Sequence, residues 1–429
     1  VEVDRQVTNL DRFELFFPER RQFFLENSDL FASLGSEHIR PFFSRRIGLD
    51  APVYAGTRLS GKLGDQTRIG VMNIQTGKKG DIPAANFTVA ALQRKVFSRS
   101  NIGAFIVNKN LTGSYDADPS NKFNRVIGVD YNLASPDNKW TGKVFYHQAL
   151  YPGAAGRAFA SSGILKYSTQ KISASLTQEY VSTDYQAEVG FVRRKGYYWL
   201  RPAVEYRFLP QGSSISNHGP MVFTSIFYNT DFKLTDRETN LLYEFQLLNR
   251  SSFGIAFLHT YIKLSEPFDP TNTGGEMLPS GEEFKWSDIG LYYNSNTRSL
   301  FNFNLWFQYG NYFNGNRLVA DLQANYRVQP FGSIGLVAGF NGISLPQPYN
   351  DADLFLLGPK LDITFTQKIF LTSFLQFNNQ IENVNLNVRF QWRYAPVSDF
   401  FIVYTSNAYS DTFKNKNRAI VAKVSYYFN

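Results

Sequence analysis

From Val53 onward the chain is written in a two-residue period, and that period decides what it can fold into. Segments of roughly ten residues alternate apolar and polar side chains and are separated by turn residues, as transmembrane barrel strands do. Val384, Leu386, Val388, Phe390, Trp392 and Tyr394 alternate with Asn385, Asn387, Arg389, Gln391 and Arg393. Successive side chains of a strand point to opposite faces, so the first set is expected to face lipid and the second to line a lumen. Phe301, Phe303, Leu305 and Phe307 alternate likewise with Asn302, Asn304, Trp306 and Gln308. Leu318, Ala320, Leu322, Ala324 and Tyr326 oppose Asp321, Gln323, Asn325 and Arg327. A helix would repeat its apolar residues at i+3 and i+4, and Phe, Tyr, Val and Asn are poor choices for one.

Composition supports a barrel over a helical membrane protein. Aromatics make up 16% of the 429 residues, yet mean hydropathy is negative. No apolar run approaches the ~20 residues that a spanning helix needs. The expected fold is an all-β, antiparallel, transmembrane outer-membrane barrel with aromatic girdles facing lipid and lipopolysaccharide.

The connections alternate short and long. Leu63–Gln66, Phe97–Ser100, Ser168–Lys171, Gln329–Gly332, Thr366–Lys368 and Ala395–Ser398 are short. Between them lie longer ones such as Gly77–Ala85, Leu111–Lys122, Tyr151–Ser161, Ser182–Gly196, Ser265–Glu283 and Gly342–Asp353. Short turns are expected on the periplasmic side and long loops outside; Pro210–Gly219 is longer than its periplasmic place predicts. About twenty-one strands can be marked from Val53 to Phe428, and single-chain barrels normally have an even number. A further strand is therefore expected over Arg40–Leu49, giving about twenty-two, with twenty the alternative.

Residues 1–39 read differently and are expected to form a strap or partial plug at the periplasmic mouth of a barrel over 40–429. Phe16, Phe17, Glu19, Arg20, Arg21, Phe23, Phe24 and Glu26 crowd aromatics and opposite charges around Pro18, which suits neither a helix interior nor a central strand. They are the candidates for filling a wide lumen, gating it or docking a partner. At the other end, Ile420, Ala422, Val424, Tyr426 and Phe428 form an outward row. Tyr426 and Phe428 are the candidate signal for the barrel-insertion machinery, although Asn429 follows them. The opening at Val1 carries no signal peptide, so a mature or truncated form is expected.

Four stretches carry a resemblance: Phe16–Glu26 (FFPERRQFFLE), Phe43–Gly48 (FSRRIG), Leu59–Lys62 (LSGK) and Glu188–Arg194 (EVGFVRR). They resemble an uncharacterised family of Bacteroidota outer-membrane proteins. In that family a carbohydrate-binding family 9-like β-domain precedes a C-terminal barrel domain, and this chain is similar to the barrel domain over essentially its whole length. The resemblance implies location and architecture, with no activity to carry over.

Little in the chain points to catalysis. The absence of cysteine excludes thiolate metal sites and a Cys nucleophile. His38, His147, His218 and His259 are scattered, with no zinc spacing, and no Gly-x-Ser-x-Gly elbow appears. His147 is expected as a solvated lumen side chain. Asp269–Glu276 offers oxygen donors and glycines without the EF-hand spacing, so an ordinary solvated loop is expected, with no metal or cofactor. The net charge of +8 is unaccompanied by any nucleic-acid motif. The lumen candidates Asn302, Asn304, Arg327, Asn385, Asn387, Arg389, Gln391, Arg393 and Lys423 make a wet, mildly anion-favouring wall. The expected function is a passive or gated channel for polar solutes, with saccharides suggested by the family's upstream domain. The alternatives are an accessory subunit of a secretion or barrel-insertion complex with outer-membrane or periplasmic partners, and, least favoured, a barrel enzyme.

Overall fold

A computed structural model describes residues 6–49, 51–112, 122–154 and 156–426. The fold is all-β: among these residues twenty-one strands, beginning with Val53–Leu63 and ending with Asn415–Ser425, join in one antiparallel barrel sheet. The six short turns read from the sequence each fall between consecutive strands, as at Leu63/Thr67 and Val96/Ser100. Gly64 sits at φ +66° in the first of these, a conformation that costs a residue without Cβ nothing. The irregularity near Pro210–Gly219 is real but shifted: the connection runs from Tyr206 to Ile215 and is longer than the six short turns.

The chain divides into two compact units. One contains residues 13–206 and 223–237. Its nine complete barrel strands, from Val53–Leu63 to Tyr197–Tyr206, pair in sequence order as an antiparallel meander. One face exposes large apolar side chains such as Val129, Val144, Leu176 and Val204, at 49–58%. The other face is also apolar, and there Met72, Phe87, Val89, Val107 and Val126 are buried together with Leu30, Phe31, Ile39 and Ile47 of the N-terminal segment. The simple rule of apolar outside and polar inside thus breaks down in this unit, because the N-terminal segment supplies the second face with a core.

The other unit contains residues 1–12, 207–222 and 238–429. Ten strands from Ser252–Lys263 to Asn415–Ser425 again pair consecutively. Here Ile289, Leu291, Leu305 and Phe307 are exposed on one face. A smaller core of Leu264, Leu278, Trp286, Phe313 and Leu354, with Leu10 against it, lies under the connection from Lys263 to Glu283.

The extra strand expected over Arg40–Leu49 is not formed. Ile39–Arg40 pairs with Phe191–Val192 in a separate two-stranded sheet, and Ser44–Arg46 makes a 3-10 turn. Its carbonyls have other donors: Arg21 Nη2 bonds Ser44 O at 2.7 Å and Nη1 bonds Ile47 O at 2.8 Å. Ile47 is fully buried. Side-chain donors and packing against the N-terminal segment hold this stretch, and the parity argument that placed a strand there fails. The barrel sheet accordingly begins at Val53 and not at residue 40.

Candidate functional site

The N-terminal segment is fastened by a carboxylate held deep in the strap. Glu19 Oε1 accepts the backbone N–H of Arg20 and of Arg21 at 2.9 and 2.8 Å and Arg21 Nε at 3.0 Å. Its Oε2 accepts Arg21 Nη2 at 2.7 Å and the Ser44 hydroxyl at 2.6 Å. Burial alone would raise the Glu19 pKa, but these hydrogen bonds and the Arg21 charge outweigh it and hold it down at about 2. Around this ion pair the rings of Phe16, Phe43 and Phe191 meet at 5.1–5.5 Å, and Arg40 lies 4.3 Å over Phe16. Arg46 reaches Glu14 at 2.5 Å and the Gly190 carbonyl at 3.3 Å. Arg45 reaches the Pro18 carbonyl at 3.1 Å and lies over Phe17. Three of the motif stretches quoted from the sequence, 16–26, 43–48 and 188–194, therefore form one junction. The fourth touches it through Ser60, which accepts from Asn27 at 3.1 Å.

This assembly is attached to the strands along its length. Arg58 bonds the Phe23 carbonyl at 2.7 Å, and Arg21 lies 4.3 Å over the neighbouring Phe24 ring. Arg68 grips Asp29 through both guanidinium ends, at 2.6 and 3.1 Å. Lys143 donates to the Ser33 carbonyl and pairs with Asp130 at 2.9 Å, whose other contacts are Gly35 N and His147 Nε2. Glu179, 2% exposed, receives Ser36 Oγ, His38 Nδ1 and Tyr197 OH at 2.5, 3.1 and 3.1 Å. At Gly70 the wall makes room for the segment, since a Cβ there would lie 2.6 Å from both Leu30 Cδ2 and Phe31 Cζ.

One expectation is corrected here. His147 is fully buried, stacked on Phe145 and edge-on to Phe105, and so is not a solvated side chain; the covered apolar face encloses it. Ser182–Gly196 is the long connection that the sequence suggests, and it is tied down along its length. Tyr185, Val189 and Phe191 bury, Val189 O accepts Phe43 N, and Glu188 pairs with Lys109 at 2.5 Å while Asn124 holds Gln186 O and Glu188 N. Asp130, Lys143 and Glu179 escaped the sequence reading, because their two-residue rows mix polar, small and apolar residues and nothing local marks the charge in them.

The polar candidates of the other unit fall into two patches. Asn385, Asn387, Gln391 and Arg393 share one face of strand Asn383–Ala395 with Arg389. Asn385 donates to Asn407 and Asn407 to Asn417, both at 2.7 Å, and Asn387 donates to Thr405 at 2.9 Å. Gln391 and Arg393 both reach Asp399, and Lys423 lies over Phe401. Residues 6–9 lie against the preceding strand: Gln6 N and Asn9 N donate to Gln376 and Gln380 at 2.6 and 2.8 Å. The second patch holds Asn302, Asn304 and Arg327, whose strands pair Asn302 with Asn325 and Asn304 with Gln323. Arg327 and Asn302 bond the Thr297 and Ser299 carbonyls. Of the remaining strap candidates, Arg20 donates its N–H to Glu19, Phe23 packs edge-on to Phe24, and Glu26 is exposed. Tyr426, 70% exposed, follows the last strand, and Phe428 lies outside the described residues.

In the Asp269 loop both oxygens of the Asp269 carboxylate are taken by the loop's own donors. Oδ1 accepts the N–H and hydroxyl of Thr271, and Oδ2 accepts the N–H groups of Thr273, Gly274 and Gly275, all at 2.7–3.0 Å. The side chain acts as the anion at the centre of its own loop.

No curated protein matches the chain. Among solved structures it is similar to the ferric-catecholate import receptor Fiu of E. coli K12 in its open form, with a TM-score of 0.40 and 9% identity over 86% of this chain and 71% of that one. The family described as "domain of unknown function (DUF5916)" matches residues 1–67 and 62–342, and the chain belongs to that family.

Proposed function

We propose that the protein is an outer-membrane barrel that passes polar solutes, and that its N-terminal segment through Pro52 is a plug seated on the lumenal face. The observation that carries this reading is the double-sided apolar character of the first unit. One face of its strands exposes Val129, Val144 and Leu176 as lipid would require, while the other is covered by Leu30, Phe31, Ile39 and Ile47. A segment seated on the covered face occupies the space through which a solute would pass. The fastenings are spaced polar contacts at Arg58, Arg68, Lys143 and Glu179, a mode of attachment that can release stepwise. The Asn, Gln and Arg side chains of the second unit then supply a wet wall.

Planar-bilayer recording tests this. Deletion of residues 1–52 is expected to give larger conductance steps than the full chain, and Glu19→Gln in the full chain is expected to raise the open fraction. Equal, silent traces from both would overturn the reading.

A second reading has its own observation. Phe16, Phe23 and Leu25 of the strap remain 38–40% exposed, which suits an accessory subunit that docks another outer-membrane or periplasmic protein through this edge. Mild detergent extraction followed by mass spectrometry separates the two: a stoichiometric companion lost on Phe16→Ser supports docking, and a lone chain argues against it.

A further inference from the structure

We propose that Tyr292 and Trp306 form a subsite for a neutral saccharide on the lumenal wall of the second unit; the inference rests on the channel reading above. Register places the pair in one strip. Gly254 faces Tyr292, Tyr292 faces Trp306 and Trp306 faces Asp321 across four consecutive strands. The opposite face of the same strands carries the exposed Ile255, Leu291, Leu305 and Phe307, so the strip is on the side away from lipid.

Both rings lie against the wall because glycine lets them. A Cβ at Gly254 would stand 2.7 Å from Tyr292 Cε1 and Cζ, and one at Gly290 would stand 2.6 and 2.8 Å from Trp306 Cη2 and Cζ2. The ring planes are 23° apart with centroids at 6.3 Å, an offset arrangement in which neither ring covers the other. Their polar atoms are already bound along the wall. Tyr292 OH donates to Glu244 at 2.5 Å, and Trp306 Nε1 donates to Gln308 at 3.2 Å, whose amide donates to Asp288 at 2.6 Å. What the half-buried pair still offers is ring face.

Around these faces stand exposed groups of another kind: Asn304, Asp321 and Gln323. A ligand that fits must have a flat C–H face to lie on the rings and hydroxyls at its edge to meet amides and a carboxylate. A pyranose has both. Glu244, Asp288 and Asp321 outnumber the nearby cation Arg317 and disfavour an anionic ligand by like-charge repulsion, so the sugar proposed is a neutral one. Simple shielding of the glycine backbone by the rings accounts for their packing, but it predicts no ligand and no role for Asp321.

The test uses the full chain in a sugar-free detergent, since alkyl glycosides would compete, and titrates maltohexaose, cellohexaose and, as a planar aromatic control, adenosine by calorimetry. At least one oligosaccharide is expected to bind saturably, adenosine not. Trp306→Ala should weaken binding at least tenfold, Trp306→Phe less, and Asp321→Ala should weaken it in a chain whose rings are untouched. Absence of oligosaccharide binding, a preference for adenosine, or unchanged binding in Trp306→Ala and Asp321→Ala would overturn the subsite. If Trp306→Ala fails to fold, the Phe and Asp321 variants decide. The channel reading fails separately: saturable binding in a chain that never conducts removes the channel and leaves the subsite, and conduction without oligosaccharide binding does the reverse.

Discussion

Ser44 donates its hydroxyl to Glu19 at 2.6 Å, and the bond joins two segments 25 positions apart. Since Glu19 also holds Arg21, whose guanidinium caps the Ser44 and Ile47 carbonyls, one carboxylate organises the whole junction. Glu19→Gln keeps the size but removes the charge and one acceptor, leaving Arg21 partly uncompensated. The expected cost to local closure of residues 16–48 is on the order of 2 kcal/mol, against about 1 kcal/mol for Ser44→Ala. Amide hydrogen exchange over that stretch measures both, with the strands of the barrel as the unaffected control.

The same carboxylate gives a pH dependence with a definite sign. The pKa of Glu19 is depressed from 4.5 to about 2, so its contribution is complete above the ordinary value and is lost as pH falls through about 2. Exchange protection of residues 16–48, corrected for intrinsic rates, should hold from neutral pH to about 5 and fall steadily below it. A flat profile to pH 2 would remove Glu19 from this role.

His38 behaves in the opposite sense. Burial pulls its pKa down, but the hydrogen bond and charge of Glu179 outweigh that and raise it above 6.5. A raised pKa means stabilisation that is full below 6.5 and disappears as pH rises through the folded-state value. Contact of residues 36–38 with the wall should therefore be tighter at pH 6 than at pH 8.5, seen as slower exchange of those amides. His38→Gln should abolish the difference while leaving the Glu19 profile intact.

How much of this was legible follows from where each signal lies. The alternation over Val384–Tyr394 and the turn residues at Leu63–Gln66 are local, and the strands and turns fall where they point. Arg40–Leu49 misled because an even strand count, and no alternation within the stretch, put a strand there; Phe43 packs on Phe16, Phe42 on Phe31, and the distant Arg21 caps the Ser44 and Ile47 carbonyls. Ser182–Gly196 is legible as a connection, but what ties it down is not, because Lys109, Asn124 and Phe43 are remote in sequence. The solvated reading of His147 failed for a related reason. Its row, with Phe145 and His147, becomes interior only once the strap covers it. The Tyr292–Trp306 pair was visible only as alternation, because nothing local says that Gly254 and Gly290 lie beneath the rings.

Gly70 tests the seat of the strap from the wall side. Valine there would drive its side chain into Leu30 and Phe31, whose atoms already stand 2.6 Å from a Cβ position. Overpacking of this kind costs about 1–3 kcal/mol, and the short helix Asp29–Ala32 is the mobile party because it is held by a few contacts while Gly70 sits in a paired strand. Gly70→Val should raise trypsin cleavage within residues 20–46 while the folded barrel keeps its heat-modifiable migration. Loss of the folded band would mean instead that the strand itself yields.

Asp269 gives the last test. Its two oxygens receive four backbone N–H groups and one hydroxyl, and although burial pushes its pKa up, those donors hold it below the ordinary carboxylate range. Asp269→Ala strands the N–H groups of Thr271, Thr273, Gly274 and Gly275 together; at about 1.5–3 kcal/mol for each hydrogen bond to a charged group, partly recovered by water, the loop should lose its order. Asp269→Asn retains one carbonyl oxygen and should lose less. The loop also covers Leu264 and Leu278, both buried, and its Pro270 carbonyl accepts the Tyr312 hydroxyl at 3.2 Å. Faster exchange in Asp269→Ala should therefore extend from residues 269–276 to 264 and 278. Exchange confined to 269–276 would mean that the core beneath holds without the loop.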